Sequence, residues 1–506
     1  MLGGFHLQGL VNFRPALASG LVGTLCNILY GFSFVPLCLA FLPLENFGLW
    51  ALMLQLVRYL DMLDVGVSGA VFRLFSEANQ SLDRDKIYNL WTSSLLVQGA
   101  QGAAIFFIGI LLLAPVADFF KLNQAIRSDF FEVSQVVLFL AGIRFALRPF
   151  GMLARSHHLH HRLNLLVPIA LLGGLAVLFF GLNAGWGMWA LAGSFFWEWL
   201  FFSWGPVVIV LKERVVPALR FWRFPGWLNL RRLFVFGSKL FLVQLSILVT
   251  HSMPLVISSR MGGLEAGAVW AIGSRVANLI REILTQIDSA AAPGIFSVAS
   301  RQDEDGLKKA LINLAKFSLL AGSALGAMYA IWNHSFVALW TEERVNFSIL
   351  ASSGLAVFLM MSGLLQTLSL ASQARLTMGP LAKAAMREVI FGPIVCWAGW
   401  IWAGHAGLAW GQVATLTLGM LSSTLIWFFP SFGIRPASFF KQVVLPSLVV
   451  FITCFGSSLF VATLIHSNVW IIWCIGVVGS LLLTIIILGL VFRGLSLYKL
   501  PGQFGL

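Results

Sequence analysis

Long apolar runs, each closed by a short cluster of charged residues, follow one another along the whole chain. The runs lack strict alternation. Each is long enough to cross a hydrocarbon core as a helix, which takes roughly 20 residues, whereas a membrane barrel would show alternating segments of about 10. Between the charge clusters the spans are expected at about 16–41, 47–75, 89–115, 131–154, 164–183, 186–211, 233–259, 264–298, 309–333, 347–372, 384–404, 406–430, 443–466 and 470–492. The pattern predicts an all-α polytopic membrane protein with fourteen spans.

Composition agrees. Hydrophobic residues make up 59% of 506 and charged residues 10%, a balance no soluble domain of this length presents to water. If both termini are cytoplasmic, the outer loops carry only Lys121, Arg127, Arg260 and Arg344, and the other loop lysines and arginines fall inside. That bias sets the orientation under the positive-inside rule. It also accounts for the net charge of +13: these residues fix topology and attract anionic membrane lipids, so nucleic acid is not needed as a partner. The first twenty residues, MLGGFHLQGLVNFRPALASG, lack the basic start and small-residue cleavage site of a signal peptide, and none is expected. Cys26, Cys38, Cys396, Cys454 and Cys474 lie in apolar runs without C-x-x-C spacing and read as packing residues.

The chain repeats itself. LPLENFGLWAL (Leu42–Leu52) returns as GGLEAGAVWAI (Gly262–Ile272), with Glu45 on Glu265 and Trp50 on Trp270. Pro36-Leu37 and Pro254-Leu255 lie in the preceding helices, and VADF (Val116–Phe119) answers VALW (Val337–Trp340). An offset of about 220 residues argues for two six-helix lobes of parallel orientation, related by a pseudo-two-fold axis along the membrane normal. The expected division is an N-lobe at 1–211, a cytoplasmic linker at 212–232, a C-lobe at 233–430, and two further helices with a cytoplasmic tail at 431–506.

The segments ENFGLWAL, LDVGVSGAVFRLFSE (Leu63–Glu77), LEAGAVWAIGSRVANLI and VALW, in this order and spacing, resemble the multidrug/oligosaccharidyl-lipid/polysaccharide exporter superfamily over about 1–430. Fourteen spans fit its polysaccharide-transporter branch, the lipid-linked oligosaccharide flippases, better than the usually twelve-span drug-exporting branch. The resemblance implies alternating access, and a substrate made of a polyprenyl diphosphate carrying sugars.

Charges inside spans are the informative residues, since each costs roughly 2.5–3.5 kcal/mol at a helix centre on insertion scales. Helix 2 carries Arg58, Asp61 and Asp64 within an arc of roughly 120°, and helix 8 carries Arg275, Asn278, Arg281, Glu282, Thr285, Gln286 and Asp288 within roughly 160°. Two readings compete: static helix glue, with Arg58 on Asp61 and Arg281 on Glu282 or Asp288, or an anion-binding cavity in which guanidinium forks meet phosphate. On the second reading Arg58, Arg144, Arg275, Arg281 and Asn278 bind substrate, and Asp61, Asp64, Asp288 or Glu198 couples an ion. Glu198, set in FFWEWLFF, reads either as a proton carrier or as a fixed partner of Arg144. Arg148 near the inner end, Lys239 and Lys316 read as snorkelling side chains.

RSHHLHHR (Arg155–Arg162) has helical His spacing but no acid close in sequence, so no metal is assigned. No phosphate-cradling Gly-rich loop occurs, and the outer loops are short, so neither ATP, another cofactor nor an enzymatic role is expected. The expected function is a secondary transporter that flips a lipid-linked oligosaccharide across a prokaryotic cytoplasmic membrane, with polysaccharide polymerase or assembly proteins as partners. A cation-coupled drug exporter, a membrane glycosyltransferase and a non-transporting scaffold are the rivals. A reporter active only in the cytoplasm should work when fused after Leu506 and be silent when inserted within 121–127; the reverse pattern overturns the loop assignment.

Overall fold

The computed structural model describes residues 13–64, 67–68, 71, 74–75, 84–157, 159–216, 227–375, 377, 379–465 and 469–494. They are helical throughout, with no strand among them. The helices are α1 (Phe13–Phe41), α2 (Leu44–Leu60), α3 (Arg84–Phe119), α4 (Gln124–Ala146), α5 (Arg148–Ser156), α6 (His160–Asn183), α7 (Met188–Trp199), α8 (Gly205–Lys212), α9 (Trp227–Gly273), α10 (Arg275–Ser300), α11 (Glu304–Trp340), α12 (Ile349–Ala374), α13 (Gly379–Leu416), α14 (Ser422–Ser431), α15 (Pro436–Phe439), α16 (Leu445–Leu464) and α17 (Trp470–Gly494). Non-helical backbone at Gly263 splits α9, and at Ala403–Gly404 it splits α13, so the stretches match the fourteen expected spans.

Two spans depart from expectation. Helix 2 ends at Leu60 and tightens into a 3-10 turn at Asp61–Asp64, where the Asp64 carboxylate accepts from Ser68 N at 3.1 Å and satisfies a donor that the tightened turn frees. Helix 4 is interrupted at Leu147, because Pro149 sits in the first turn of α5 and can supply no N–H to the ladder. Arg144 and Arg148 therefore lie on separate helices. Much of Leu63–Glu77 and the side chain of Lys239 lie outside the described residues.

The chain divides into two compact units: unit 1 is Met1–Gln244 with Ser259–Ala268, and unit 2 is Leu245–Ser258 with Val269–Leu506. In unit 1, α1 packs on α6, α3 on α4, and α7 on both α4 and α6. In unit 2, α11 packs on α10, α12 and α16, and α12 on α13. The repeat reappears in the local backbone. Gly187 before α7 and Gly404 within α13 share an unusual conformation, φ 54°, ψ −127° and φ 55°, ψ −130°. The same distance beyond each turn, a π-helical bulge interrupts the helix, at Leu200–Trp204 and at Thr417–Leu421. The repeated tryptophans are buried packing residues, Trp50 edge-on to Phe195 and Trp270 edge-on to Phe347.

Helix pairs approach closely at small residues, as membrane helices must when no hydrophobic drive holds them together. A Cβ at Gly102 would lie 2.3 Å from Gly142 O, and in the α13 hairpin a Cβ at Gly407 would lie 1.7 Å from Gly399 O. The last span is tied to α11: Trp332 Nε1 donates to Ser480 Oγ at 3.2 Å, Trp473 Nε1 donates to Trp332 O at 3.3 Å, and Gly476 leaves room for the Trp332 ring. Gly407→Leu should separate the α13 hairpin and lower stability by about 1–3 kcal/mol or more, as overpacking does. Gly151→Ala, where nothing lies within 4 Å, should be neutral or slightly stabilising. Thermal unfolding of the purified protein compares the two.

Candidate functional site

Unit 1 gathers charge where α2, α4, α5 and α7 meet. Arg148 Nη2 donates to Asp61 Oδ1 at 3.0 Å while its guanidinium lies 3.9 Å from the centre of the Phe145 ring. Arg148 is thus an ion-pair partner rather than a snorkelling side chain. Arg144 lies 5.7 Å from the centre of the Phe202 ring, within electrostatic reach of both Asp61 and Glu198. The hydroxyls of Tyr30 and Ser194 face Glu198. Asp64 belongs to a polar chain instead: Gln98 Nε2 donates to Ser68 Oγ at 2.9 Å, and Ser68 Oγ donates to Asp64 Oδ1 at 2.8 Å. Arg58 closes α2 with an exposed side chain.

In unit 2 the decisive feature is a kink. Helix 8 runs from α9 into α10 through Gly273-Ser274, a pair of residue types at which helices bend. The Gly273 carbonyl accepts from Tyr329 Oη at 3.0 Å and from Asn333 Nδ2 at 3.1 Å, both on α11, so the bend leaves no bare acceptor in the membrane. The Phe347 ring fills the space a Gly273 side chain would need.

Below the bend a recess opens, lined by His251, Trp270, Ser274, Asn278, Arg281, Phe358 and Gln412 among others. Arg281 and His251 are near enough to interact electrostatically, and the His251 ring stands edge-on to Phe358 with centroids 5.3 Å apart. Gln412 Nε2 donates to Thr250 O at 2.7 Å. Among the described residues, no carboxylate lines the recess. One guanidinium, an imidazole and neutral amides suit an anion that also carries hydroxyl groups.

The polar stripe expected on helix 8 therefore divides. Asn278 and Arg281 enter the recess, whereas Glu282 and Gln286 are exposed. Arg275, at the first position of α10, is half-buried and is not among the recess walls; its Nε is buried without a hydrogen-bond partner. Asp288 is met by hydroxyls rather than by Arg281: Ser318 Oγ donates to Oδ1 at 3.2 Å and Thr367 Oγ1 donates at 3.0 Å.

One buried acid escaped sequence reasoning. Glu388 is 2% exposed; its Oε2 accepts from Ser246 Oγ, and it packs beside Gly419 of the second π-bulge. Lys383 and Arg387 make this stretch read as a loop edge, yet α13 already begins at Gly379, so Glu388 lies more than two turns inside the helix. Buried small residues at Ala384 and Ala385, one turn before it, are the pattern that marks this face as internal.

Residues 40–341 match the family described as "Polysaccharide biosynthesis protein". Curated protein sequences give no match. Among solved structures, the lipid II flippase MurJ in an inward closed conformation aligns with a TM-score of 0.69 at 10% identity, covering 96% of this chain and 100% of that one. An inward-facing multidrug resistance MATE family transporter of the MOP superfamily aligns at 0.68 and 15% identity, covering 82% and 97%. The Vibrio cholerae MATE transporter VcmN aligns at 0.62 and 14% identity, covering 83% and 96%. Likeness at these identities is likeness of fold. The chain belongs to the polysaccharide biosynthesis protein family and has the fold of the MOP-superfamily transporters.

Proposed function

We propose that the protein is a secondary transporter that flips a lipid-linked oligosaccharide, carried on a polyprenyl diphosphate, across the cytoplasmic membrane for surface polysaccharide biosynthesis. The observation that carries this reading is the unit 2 recess, where Arg281 stands with Asn278 and His251 and, among the described residues, no carboxylate. A guanidinium keeps its charge at any pH, and its planar fork matches phosphate oxygens, while amides serve sugar hydroxyls. Arg144 in unit 1 and Arg275 at the head of α10 are further candidates for diphosphate contacts. A cation-coupled drug exporter would instead need acids lining this recess to hold a cation. Family membership agrees with a role in polysaccharide assembly.

Export of two negative charges from an inside-negative cell gains about 2.3 kcal/mol per charge per 100 mV, so the membrane potential can drive the loaded step without ATP. Return of the empty carrier then needs its own reset, for which a protonatable acid suffices.

In cells whose only copy is the variant, Arg281→Ala at normal protein level should cut surface polysaccharide by about 10–100-fold, the worth of a charge-assisted hydrogen bond of roughly 1.5–3 kcal/mol. Arg281→Lys should keep part of the activity, because a point charge replaces a fork. The same pair at Arg275 ranks the two arginines. Wild-type polysaccharide from Arg281→Ala, or cells whose only defect is sensitivity to cationic drugs, would overturn the proposal.

A further inference from the structure

Asp288 lies where α10, α11 and α12 meet, in the half of helix 8 nearer the turn at 301–303. It is 5% exposed; Ser318 and Thr367 are 0% and 1% exposed. Both hydroxyls point at Oδ1, while Oδ2 is buried with no hydrogen-bond partner. Small residues bring the helices together around the carboxyl: a Cβ at Gly363 would lie 3.3 Å from Ser318 O, and one at Gly322 would lie 3.2 Å from Met360 Cα.

Among the described residues, no counter-charge stands opposite it. Helix α12 carries no ionisable residue along its whole length. On α11 the nearest is Lys316, on an exposed face beside exposed Phe317 rather than the buried face of Ser318. On its own helix, Arg281 is about two turns away and enters the recess toward His251, and Glu282 is exposed. An ionised carboxylate held here would bear a desolvation cost of several kcal/mol with no ion pair to offset it.

The repeat supplies an internal comparison. At an offset of about 220 residues, Asp288 and Ser318 correspond to Ser68 and Gln98, and these two also bond to each other, Gln98 Nε2 to Ser68 Oγ at 2.9 Å. Unit 1 thus carries two neutral groups at these two positions, and its acid, Asp64, stands one turn earlier, where it accepts from Ser68 Oγ at 2.8 Å and Ser68 N at 3.1 Å. In unit 2 the acid occupies the corresponding position itself and meets hydroxyls from two other helices.

We propose that Asp288, with Ser318 and Thr367, is a proton-binding site of unit 2, separate from the Arg281 recess, at which one proton is taken up and released. Uptake forms one O–H bond on the carboxylate from a proton supplied by water, and release returns the proton to water and leaves the carboxylate. Hydroxyl partners fit this chemistry because each donates to the ionised form and can rotate to accept from the acid. Four side-chain oxygens, two of them on one carboxylate, are too few for a hard metal cation, which takes about six. Use of the proton to reset the carrier rests on the transport reading above. The binding itself does not.

The test is infrared titration of the full chain in liposomes of phosphatidylethanolamine and phosphatidylglycerol, from acidic to alkaline buffer, with and without Asp288→Asn. A protonated-carboxyl band that converts to carboxylate across the titration, and is lost in Asp288→Asn, is the expected result. Ser318→Ala should shift that band in frequency, which keeps the proposal testable if Asp288→Asn does not fold. A band indifferent to both substitutions, or one assigned to Asp288 that never deprotonates and so marks a fixed neutral acid, overturns the proposal. Conversion at constant pH when sodium replaces potassium overturns it in favour of a metal cation. None of these readouts involves substrate, so they stand apart from the fate of the lipid-linked oligosaccharide reading. If that reading also holds, export by Asp288→Asn loses its dependence on external pH.

Discussion

A peptide carbonyl released from a helix has no water to turn to in a hydrocarbon core, and this constraint governs where the chain can bend. At several places a side chain takes up such a carbonyl. Gly273 O is taken by Tyr329 and Asn333, Leu63 O by Gln101 at 2.7 Å, Leu140 O by Trp199 at 2.6 Å, and Thr250 O by Gln412. These buried amides and this indole are therefore committed to the backbone. The groups suited to chemistry are few: Arg281, Asn278 and His251 line one recess, and a few acids are buried.

The two repeats share backbone devices and differ in charge. Turn, π-bulge and close helix crossing recur, yet Glu198 stands on the seventh helix of unit 1 before its bulge, while the corresponding acid of unit 2, Glu388, comes from α13 on the other side of its hairpin. Geometry is kept where the membrane enforces it, and polar identity has drifted where only local partners judge it. A duplicated scaffold of this kind can hold unlike ligands in its two halves without refolding either.

The spans were legible because hydropathy and length alone decide them, and the structure places them where the apolar runs lie, as at 164–183 against His160–Asn183. The interruptions were not. Asp61–Asp64 falls inside an apolar window, and its 3-10 geometry depends on Ser68. For the site, angular arithmetic found the stripe on helix 8 but carries no depth, so it could not separate Arg275, in the first turn after the Gly273-Ser274 bend, from Asn278 and Arg281 further along α10, which reach the recess. Arg148 with Asp61 is a contact 87 residues apart in sequence, which no local pattern reports. Glu388 was hidden by the basic residues beside it.

The tie between Trp332 and Ser480 has a meaning for how the chain is made. A ribosome that has just released Trp332 must deliver another 148 residues before the acceptor for that indole exists, and Trp473, whose own indole takes the Trp332 carbonyl, arrives almost as late. During that interval α11 waits in the lipid with one aromatic face uncovered. Assembly of unit 2 is therefore finished by its last helix and not by its first, and quality control acting on nascent chains would find this helix exposed for most of the time that the C-terminal third takes to emerge.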